Sequence, residues 1–593
     1  MTIMHGPQTV AADALHQEKY RNKGESFREA MSRVASPLSY SDDHFHDLRE
    51  LLLDQRFLPA GRIQSAIGSS KAVTAYNCFV SGTIEDSFTD GSGSIMQRAA
   101  EAATTMRMGG GIGYDFSTLR PRGATIKKLD SISSGAVSFM HIFDAVGLAT
   151  ASSGHRRGAQ MGVLRVDHPD IEEFVRAKQN HDKLTGFNIS VAVTDKFMQA
   201  VRDDTDFNLE FNGTVYRTIR ANDLWNMIMR STYDWAEPGV LFIDRINNQN
   251  NLKYCERLAA TNPCGEQPLP PYGACLLGSF NLVKYLTKLS PSSPYKFDYG
   301  AFHLDIANVV PAMDSVVEVS RYPLFDQEKE ALSKRRMGLG VTGLANTIEA
   351  IGEPYGSRKF IAIMATILSA LRDGAYRASA KLAKERGAFP LYDPKHYLNT
   401  PFIRTLPADI QELIERYGIR NSHLLSIAPT GTISMSADNV SSGIEPVFAH
   451  QISRPINTPR GVDIVEVQDY GVKFLNIYGK TADQCTVQDH LNVLICANQF
   501  VDSAVSKTCN IPQDYSWEKF KNVYTQAWEN GCKGCTTFRN GGLKTALLVK
   551  KEDKEPETLI PIEIPDGIEE GTPILIGNPS CTFDPATGRK SCE

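Results

Sequence analysis

Short apolar runs alternate with helical patterns over most of the chain. From about residue 60 to residue 250, strand-like apolar runs are separated by glycine-rich turns and by stretches with helical spacing. Helical patterns continue over residues 305–319 and 358–381 and extend to about residue 540, and Pro311 is expected to kink or break the first of them. Strands interleaved with helices over this length predict an α/β architecture, and a barrel is the favoured form.

The two ends of the chain follow different patterns. Residues 1–24 predict a polar arm with a short helix, and Ser41 predicts the cap of the next helix. Residues 551–570 contain eight acidic residues and three prolines, so they predict a charged, extended linker. Two cysteines, Cys581 and Cys592, follow this linker near the last residue.

Composition narrows the class of protein. A chain of 593 residues with 42% hydrophobic and 22% charged residues is an ordinary globular protein, too long for a disulfide scaffold or a zinc mini-domain. The net charge of −5 provides no basic field for a nucleic-acid backbone. We therefore expect no nucleic-acid partner, and any anionic ligand must be bound by local groups.

The cysteine count indicates the compartment. Eleven cysteines are an odd number and are spread along the chain, which is not typical of a secreted disulfide framework. The first thirty residues lack an apolar signal core, and no apolar run is long enough to span a bilayer. We expect a cytoplasmic protein with reduced thiols and no membrane partner.

The most informative stretch is Asn-Pro-Cys-Gly-Glu-Gln-Pro-Leu, which begins at Asn262. Asn-Pro is turn chemistry and Gly265 permits a sharp bend, so Cys264 is expected at the tip of a loop. A thiol, an amide and the Glu266 carboxylate in five residues can serve as nucleophile, orienting group and general base. From spacing alone, a surface turn with a buried cysteine explains the stretch equally well.

Four segments, in this order, resemble the large catalytic subunit of ribonucleotide reductase, most closely its adenosylcobalamin-dependent class II. The segments are Tyr76-Asn77-Cys78-Phe79-Val80, residues 262–282, Arg335-Arg336-Met337-Gly338-Leu339-Gly340-Val341, and Ala428-Pro429-Thr430-Gly431-Thr432-Ile433-Ser434. The resemblance runs from about Tyr20 to Arg539. It implies an α/β fold, namely a ten-stranded α/β barrel with a central finger loop, preceded by a short, mainly helical N-terminal region.

The resemblance also implies a role for each residue of the reaction. Cys264 matches the finger-tip cysteine that becomes a thiyl radical and takes the 3′ hydrogen of the substrate ribose. Glu266 matches the base for the 3′-hydroxyl proton, and Asn262 the amide that holds substrate hydroxyls. Cys78 and Cys275 match the pair that supplies two electrons and closes to a disulfide. Without the motifs, either would be interpreted as a core cysteine.

A phosphate-binding loop is expected at Pro429, Thr430, Gly431, Thr432, Ile433 and Ser434. Hydroxyl groups and successive backbone amides at the start of a helix suit an anion, and the segment resembles the substrate-phosphate loop of the family. Without the other motifs, an ordinary helix cap would be the preferred interpretation.

The C-terminal cysteines match the tail pair that, in this family, reduces the active-site disulfide and is itself reduced by a thioredoxin-like partner. Thiol–disulfide exchange needs sulfur contact, and the linker is long enough to reach a barrel from its rim. Many class II tails carry Cys-x-x-Cys, whereas ten residues separate Cys581 from Cys592. A disordered end with incidental cysteines is the alternative.

A second nucleotide, a (d)NTP specificity effector, is expected from the resemblance. Asp86 and Ser87 match the effector ribose contact, and Arg156 and Arg157 lie where the second specificity loop falls. The alternative for the two arginines is solvated loop charge. The body begins near Tyr20, which predicts no ATP-cone and no overall dATP inhibition through one.

The source of the radical is expected to be adenosylcobalamin. The stretch 534–541, where class I subunits carry a tyrosine pair, contains no tyrosine. A single Cys-x-x-Cys at Cys532 and Cys535 is weak evidence for zinc, so no metal ligands are predicted. A class I-type large subunit needing a separate metal subunit and a non-enzymatic nucleotide-binding regulator are the rival interpretations.

The predicted organisation is a helical region at 1–60, a catalytic barrel with specificity loops at 61–545 and a flexible redox tail at 546–593. The substrate is a ribonucleotide, with diphosphate and triphosphate both open. Monomer and dimer are both open, and a homodimer is favoured because no large insertion of the kind that replaces a partner subunit is present.

Overall fold

The computed structural model of the protein describes residues 5–127, 129–150, 159–179, 183–458, 461–539 and 541–543, and the two short strands 582–584 and 589–591. Its helices and strands alternate as the sequence pattern predicts, which confirms the α/β class. In this part of the chain the helices are α1 (Val10–Lys19), α2 (Phe27–Leu38), α3 (Asp42–Leu53), α4 (Gly61–Ala66), α5 (Ile95–Arg107), α6 (Ala136–Ala149), α7 (Ile171–Arg176), α8 (Asp195–Arg202), α9 (Ala221–Trp235), α10 (Ile243–Asn248), α11 (Tyr299–Val319), α12 (Phe325–Lys334), α13 (Leu344–Ile351), α14 (Arg358–Arg386), α15 (Pro394–Tyr397), α16 (Ala408–Tyr417), α17 (Gly431–Ser436), α18 (Val487–Asn498) and α19 (Trp517–Glu529).

The strands are mostly short. They are β1 (Phe57–Pro59), β2 (Cys78–Val80), β3 (Gly111–Asp115), β4 (Thr125–Ile126), β5 (Ser131–Ile132), β6 (Gln160–Arg165), β7 (Phe187–Val193), β8 (Asp206–Phe211), β9 (Thr214–Arg220), β10 (Gly239–Phe242), β11 (Ala260–Thr261), β12 (Pro268–Leu269), β13 (Ala274–Cys275), β14 (Leu277–Asn281), β15 (Leu286–Thr287), β16 (Lys296–Phe297), β17 (Gly338–Thr342), β18 (Gln451–Thr458), β19 (Gly461–Gln468), β20 (Thr508–Ile511), β21 (Gly534–Arg539), β22 (Thr582–Asp584) and β23 (Arg589–Ser591).

The larger sheet of the described residues is mixed and has eight strands. Its strand order is β13-β2-β3-β6-β7-β10-β21-β20, and the neighbours from β2 to β10 are parallel. The central strands β6 and β7 are almost wholly buried, as expected for parallel strands covered on both faces. β13 and β21 join their neighbours β2 and β10 in antiparallel pairs, which makes the sheet mixed.

A second sheet has the order β1-β14-β17 and continues directly from the first. One residue, Leu276, separates the end of β13 from the start of β14. Single bridges, Leu339 to Leu425 and Ile427 to Val505, then lead from β17 back toward β20. The two sheets are therefore joined at both ends, by the β13–β14 junction and by residues 425–427.

Two predicted helices can be compared with the structure. Ser41 caps α3 by accepting a hydrogen bond from the backbone N–H of His44, as predicted. The break expected at Pro311 is wrong, because α11 runs continuously from Tyr299 to Val319 with Pro311 inside it. Pro311 is buried among the apolar residues of α11, and this packing offsets the backbone hydrogen bond that proline removes.

In the part of the chain that the structure describes, no helix combines the length and the apolar character needed to cross a bilayer.

Candidate active site

A tight hairpin forms the finger. β11 and β12 pair in antiparallel register, and residues 262–267 connect them with Cys264 at the turn. The Gln267 N–H donates to Asn262 Oδ1 at 2.9 Å, which closes the base of the loop. Gly265 has a φ of 83°, in the left-handed region that glycine adopts without strain. The turn predicted from Asn-Pro-Cys-Gly is therefore present.

Neighbouring strands and loops hold the finger. The Asn188 side-chain amide donates to the Pro263 carbonyl at 3.0 Å. On the other side, the Glu266 carbonyl accepts from the Ala504 N–H at 2.9 Å and from the Ser426 hydroxyl at 3.0 Å. These bonds fix the loop on both sides of Cys264.

Two glycines of β3 let the finger approach the sheet. A Cβ on Gly113 would lie 1.9 Å from the Thr261 carbonyl oxygen. A Cβ on Gly111 would lie 3.2 Å from Pro263 Cγ and 3.3 Å from Cys78 Sγ. Strand β3 therefore needs small residues where the stem of the finger and the Cys78 sulfur lie against it.

The strand pairing brings Cys78 and Cys275 together. β2 and β13 are antiparallel, and Cys78 is the register partner of Cys275. Directly opposed residues in antiparallel strands have Cα atoms about 4.5–5.5 Å apart, which falls within the range that a disulfide can bridge. Both residues are buried, and neither is part of a disulfide in this structure.

Burial governs the protonation of Cys275. Loss of solvent raises the pKa of this thiol well above its usual value, and the nearby Cys78, Glu266 and Cys264 raise it further. Because the thiolate is the disfavoured form, Cys275 keeps its proton at neutral pH. The same influences place these four groups within electrostatic reach of one another.

One pocket of about 520 Å³ collects most of the predicted residues. Its lining consists of Ala60, Gly61, Asn77, Cys78, Cys264, Glu266, Leu277, Gly278, Ser279, Ala428, Pro429, Thr430, Gly431 and Ile433. Thiols and a carboxylate from the finger and β2 thus face the loop predicted to bind phosphate. The size suits a small ligand.

Four residues predicted for catalysis or phosphate binding lie outside this lining, and one of them is Cys275 on β13. Asn262 is buried, and its Nδ2 has no hydrogen-bond partner among the described residues. Thr432 and Ser434 are in the loop without lining the pocket. Ser434 is held internally, because its hydroxyl lies 3.1 Å from that of Ser442.

The predicted phosphate loop is braced from behind. Thr430 caps α17 with a left-handed φ of 55°, which is rare for threonine and marks a position fixed by its surroundings. Its hydroxyl lies 2.9 Å from the Thr342 hydroxyl and accepts from the Gly443 N–H at 2.7 Å. The hydroxyl is thus held by β17 and by the 443–446 segment.

A second cavity, of about 1090 Å³, lies on the other side of the finger. Its walls come from β7, β10, the 505–508 segment and β21, and include Lys507 and Cys535. Of the described residues, Cys264 alone lines both cavities. Cys264, at the tip of the finger, therefore borders two separate cavities.

The structure describes only some of the residues that were predicted to bind the effector or to form the redox tail. The Asp86 carboxylate pairs with Arg120, whose Nε lies 2.7 Å from Asp86 Oδ2. The Ser87 hydroxyl accepts from the Asp90 N–H at 3.1 Å. Arg156, Arg157, Cys581 and Cys592 lie outside the described residues.

Sequence reasoning assigned no role to seven residues that line the pocket, namely Ala60, Gly61, Asn77, Leu277, Gly278, Ser279 and Ala428. Ser279 lies within the segment that carries Cys275, but its type gave no chemical signal. Ala60 and Gly61 begin α4, far from the other motifs in sequence. The sequence feature that could have indicated Ala60 and Gly61 is a glycine shortly after an apolar strand.

A thiol pair, a third thiol on a finger and a carboxylate, all gathered in an α/β fold, define a thiol-based oxidoreductase site. The family model for the ribonucleotide reductase barrel domain matches residues 76–538. The chain belongs to the ribonucleotide reductase family.

Several relatives are named as vitamin B12-dependent enzymes. A vitamin B12-dependent ribonucleoside-diphosphate reductase of Mycobacterium tuberculosis is 32% identical, covering 90% of this chain and 78% of the relative. One of the same name from Thermoplasma acidophilum is 31% identical, covering 96% and 74%. A vitamin B12-dependent ribonucleotide reductase of Rhodopirellula baltica is 26% identical, covering 81% and 54%.

Proposed function

We propose that the protein reduces ribonucleotides to 2′-deoxyribonucleotides by thiyl-radical chemistry, with adenosylcobalamin as its cofactor, and so supplies DNA precursors. One observation carries the proposal: Cys264 lines both the pocket that holds the dithiol and the larger cavity behind the finger. A sulfur in this position can receive a radical on one side and use it on the other.

The substrate ribose is proposed to lie between Cys264, Glu266 and Cys78. The Cys264 sulfur takes the 3′ hydrogen atom, and the Glu266 carboxylate accepts the 3′-hydroxyl proton. The 2′-hydroxyl then leaves as water. Cys78 and Cys275 supply two electrons and two protons in total and close to a disulfide, and Cys264 returns the hydrogen to C3′.

The exposure of the sulfurs supports this assignment. Cys78 lines the pocket, whereas Cys275 lies behind it on β13. Cys78 is therefore the thiol that meets the 2′-hydroxyl. Cys275 is the neutral thiol that completes the disulfide.

Two further groups hold the substrate. The Asn262 side-chain amide is buried in the finger with Nδ2 unpaired among the described residues, so it has a donor available for a ribose hydroxyl. The substrate phosphates are assigned to the loop from Pro429 to Ser434, where three members line the pocket together with Ile433. The diphosphate reductase names of two relatives favour a diphosphate.

The cavity behind the finger suits the cofactor. It is about twice the size of the substrate pocket, and small or apolar residues make up most of its lining. Adenosylcobalamin, when bound, supplies a radical by homolysis of its cobalt–carbon bond. Residues of β7, β10 and β21 would hold it, and Cys264 would face it. No cobalt ligand from the protein is proposed.

The barrel is proposed to close through ten strands. Support comes from a ring of pairings in which β2, β3, β6, β7, β10, β21, β20, residues 425–427, β17 and β14 follow one another. β13 continues into β14 and pairs with β2, which joins the two ends of the ring. The finger would then lie at its centre.

The tail cysteines are proposed to reduce the Cys78–Cys275 disulfide and to be reduced by a thioredoxin-like protein. The backbone hairpin of β22 and β23 supports the pair, because Thr582 is the register partner of Ser591. These residues directly neighbour Cys581 and Cys592 in sequence. β23 also lies beside α17, which borders the substrate pocket.

The remaining predictions belong to the same proposal. A (d)NTP effector is assigned to Asp86, Ser87, Arg156 and Arg157, and release of Asp86 from Arg120 is required for its carboxylate to reach a ribose. A homodimer in the cytoplasm is the proposed state. The domain limits 1–60, 61–545 and 546–593 are retained.

The decisive experiment is an activity assay without a second subunit. Purified protein, adenosylcobalamin, a dithiol and a ribonucleoside diphosphate are expected to yield deoxyribonucleotide. Failure under these conditions, together with activity when a metal-containing subunit is added, would favour a class I-type large subunit.

Cys264→Ser tests the radical carrier. We expect it to abolish turnover while ribonucleotide binding persists, because serine keeps the size of the side chain and loses the weak S–H bond. Cys255→Ser is the matched control, since Cys255 is an exposed thiol. Turnover by the Cys264 variant would refute the assignment.

A further inference from the structure

The N-terminal arm reaches the element that carries the phosphate loop. We propose that Asp438 is a positioning residue that couples docking of this arm (residues 6–20) to the affinity for the ribonucleotide. The inference rests on the proposed function, because it takes the loop at Pro429–Ser434 as the phosphate site. Asp438 follows α17, the helix that begins in this loop.

Asp438 gathers donors from the start of the arm. Its carboxylate accepts the Gln8 N–H at 2.9 Å, the Thr9 N–H at 2.8 Å and the Thr9 hydroxyl at 2.9 Å. The side chain is only 2% exposed. Asp438 and Asn439 both have left-handed φ angles, 61° and 62°, so the chain turns sharply at the point where the arm is attached.

The arm also touches the wall of the substrate pocket at a second point. A Cβ on Gly61 would lie 2.7 Å from Tyr20 Cε1, so the tyrosine ring packs directly on this glycine. Tyr20 shares a small apolar cluster with Ile433 and Ala437 of the α17 region. Gly61 and Ile433 both line the pocket. The two ends of the arm therefore contact the loop's surroundings at two points, after α17 and at the pocket wall.

The contact of the arm with Asp438 involves a charge as well as packing. A buried carboxylate needs donors, and the arm provides them from the backbone at the start of α1, where Thr9 is the cap. If the arm leaves, the Asp438 carboxylate loses these three donors, and its negative charge is less compensated close in the chain to a loop that must accept phosphate. The Lys284 amine also lies within electrostatic reach of Asp438; burial lowers the pKa of this amine, and the Asp438 charge opposes that shift. Arm docking and phosphate binding should therefore favour each other.

This coupling must act in both directions. A ribonucleotide that binds more tightly when the arm is docked must also hold the arm in place. Hydrogen exchange of the α1 amides reports arm docking directly, and steady-state kinetics report substrate affinity. If Asp438 only stabilised the fold, replacing it would not alter the effect of substrate on hydrogen exchange in α1. It would also not raise KM while leaving kcat unchanged.

The experiment uses the full chain and the variants Asp438→Asn and Thr9→Val. Thr194→Val is the matched control, because Thr194 caps α8 by the same kind of side-chain bond, to the Phe197 N–H at 3.1 Å, away from the substrate pocket. In the wild type, a saturating ribonucleoside diphosphate is expected to slow exchange in α1. In both arm variants we expect α1 to exchange faster and KM to rise at least about fivefold with kcat little changed. The control should change neither.

The outcomes separate the inference from the proposed function. If the wild type binds and reduces ribonucleotide but exchange in α1 does not respond to it, the coupling is refuted and the function stands. An unchanged KM in a variant whose arm exchanges freely refutes it as well. If the wild type neither binds nor reduces a ribonucleotide, the function itself fails. Should Asp438→Asn not fold, Thr9→Val and the wild-type exchange experiment still decide.

Discussion

Replacing Gly113 with alanine tests whether the position of the finger sets the rate. The added Cβ would lie 1.9 Å from the Thr261 carbonyl oxygen, far inside the 3.0 Å that real Cβ contacts respect. The obstacle is backbone, so no side chain can rotate away. The stem of the finger and β3 must therefore separate by about 1 Å, and a misplacement of this size can reduce a rate by about 10²-fold.

The expected fall in kcat follows from which part of the backbone is displaced. Thr261 is the last residue of β11, and the finger loop with Cys264 begins immediately after it. A shift at the stem therefore moves the finger, with its sulfur, relative to Cys78 on β2 and to the phosphate loop. We expect kcat to fall about 10²-fold, and overpacking to reduce the free energy of unfolding by about 1–3 kcal/mol.

Gly162→Ala is the matched control. Gly162 lies in the adjacent strand β6, and its added Cβ would meet Met140 Cε at 2.7 Å. That atom is the end of a flexible side chain, which can move aside at small cost. Single-turnover formation of deoxyribonucleotide with saturating substrate measures the chemical step, and a urea titration measures stability.

The reasoning is refuted if Gly113→Ala retains kcat within about threefold of the wild type while folded. Equal losses in the two variants would also contradict it, because they would indicate general sensitivity of the sheet. A loss confined to Gly113→Ala, in protein that still binds nucleotide, is the expected result.

Three other predictions concern the dithiol, the loop and the arm. Cys78→Ser and Cys275→Ser should each stop multiple turnover and leave nucleotide binding intact, since either change removes a disulfide partner; a variant that still forms deoxyribonucleotide repeatedly with dithiol would contradict this. Thr342→Val removes the hydroxyl that lies 2.9 Å from the Thr430 hydroxyl, at a cost of about 1 kcal/mol, and should raise KM about fivefold; an unchanged KM would show that the brace is irrelevant. Burial lowers the pKa of His16 to about 4, so between pH 6.5 and 4 the unfolded chain binds a proton that the folded arm does not. Stability from this residue is therefore present above pH 6.5 and is lost toward pH 4, by up to about 3 kcal/mol; His16→Gln should flatten this slope in urea titrations, and an equally steep slope would refute it.

The local patterns were sufficient to predict the α/β class and the finger turn. Asn-Pro-Cys-Gly-Glu fixes a tight loop by its own turn chemistry, and the structure places Cys264 at that turn. Alternation of strands and helices likewise predicted the α/β class, but not that β13 and β21 join the larger sheet in antiparallel pairs. Pro311 misled because the local rule ignores tertiary packing, which retains a continuous helix in the interior.

The meeting of remote residues could not be predicted from spacing. Cys78 and Cys275 face each other only because β13 pairs with β2 in one particular register. The approach of Thr261 to Gly113 and the bonds from the arm to Asp438 are equally non-local. Sequence periodicity indicates which face of a strand is buried, but not which strand lies opposite.

The separation of the sulfurs has a chemical consequence under the proposed function. Cys264 borders both cavities, Cys78 borders only the substrate pocket, and Cys275 lies behind Cys78. A radical that arrives from the rear cavity thus meets Cys264 before it can meet the dithiol. The substrate lies between Cys264 and Cys78, so the reducing pair is reached through the ribose. The fold, by placing one thiol on the finger and two on paired strands, makes consumption of the dithiol depend on the presence of substrate.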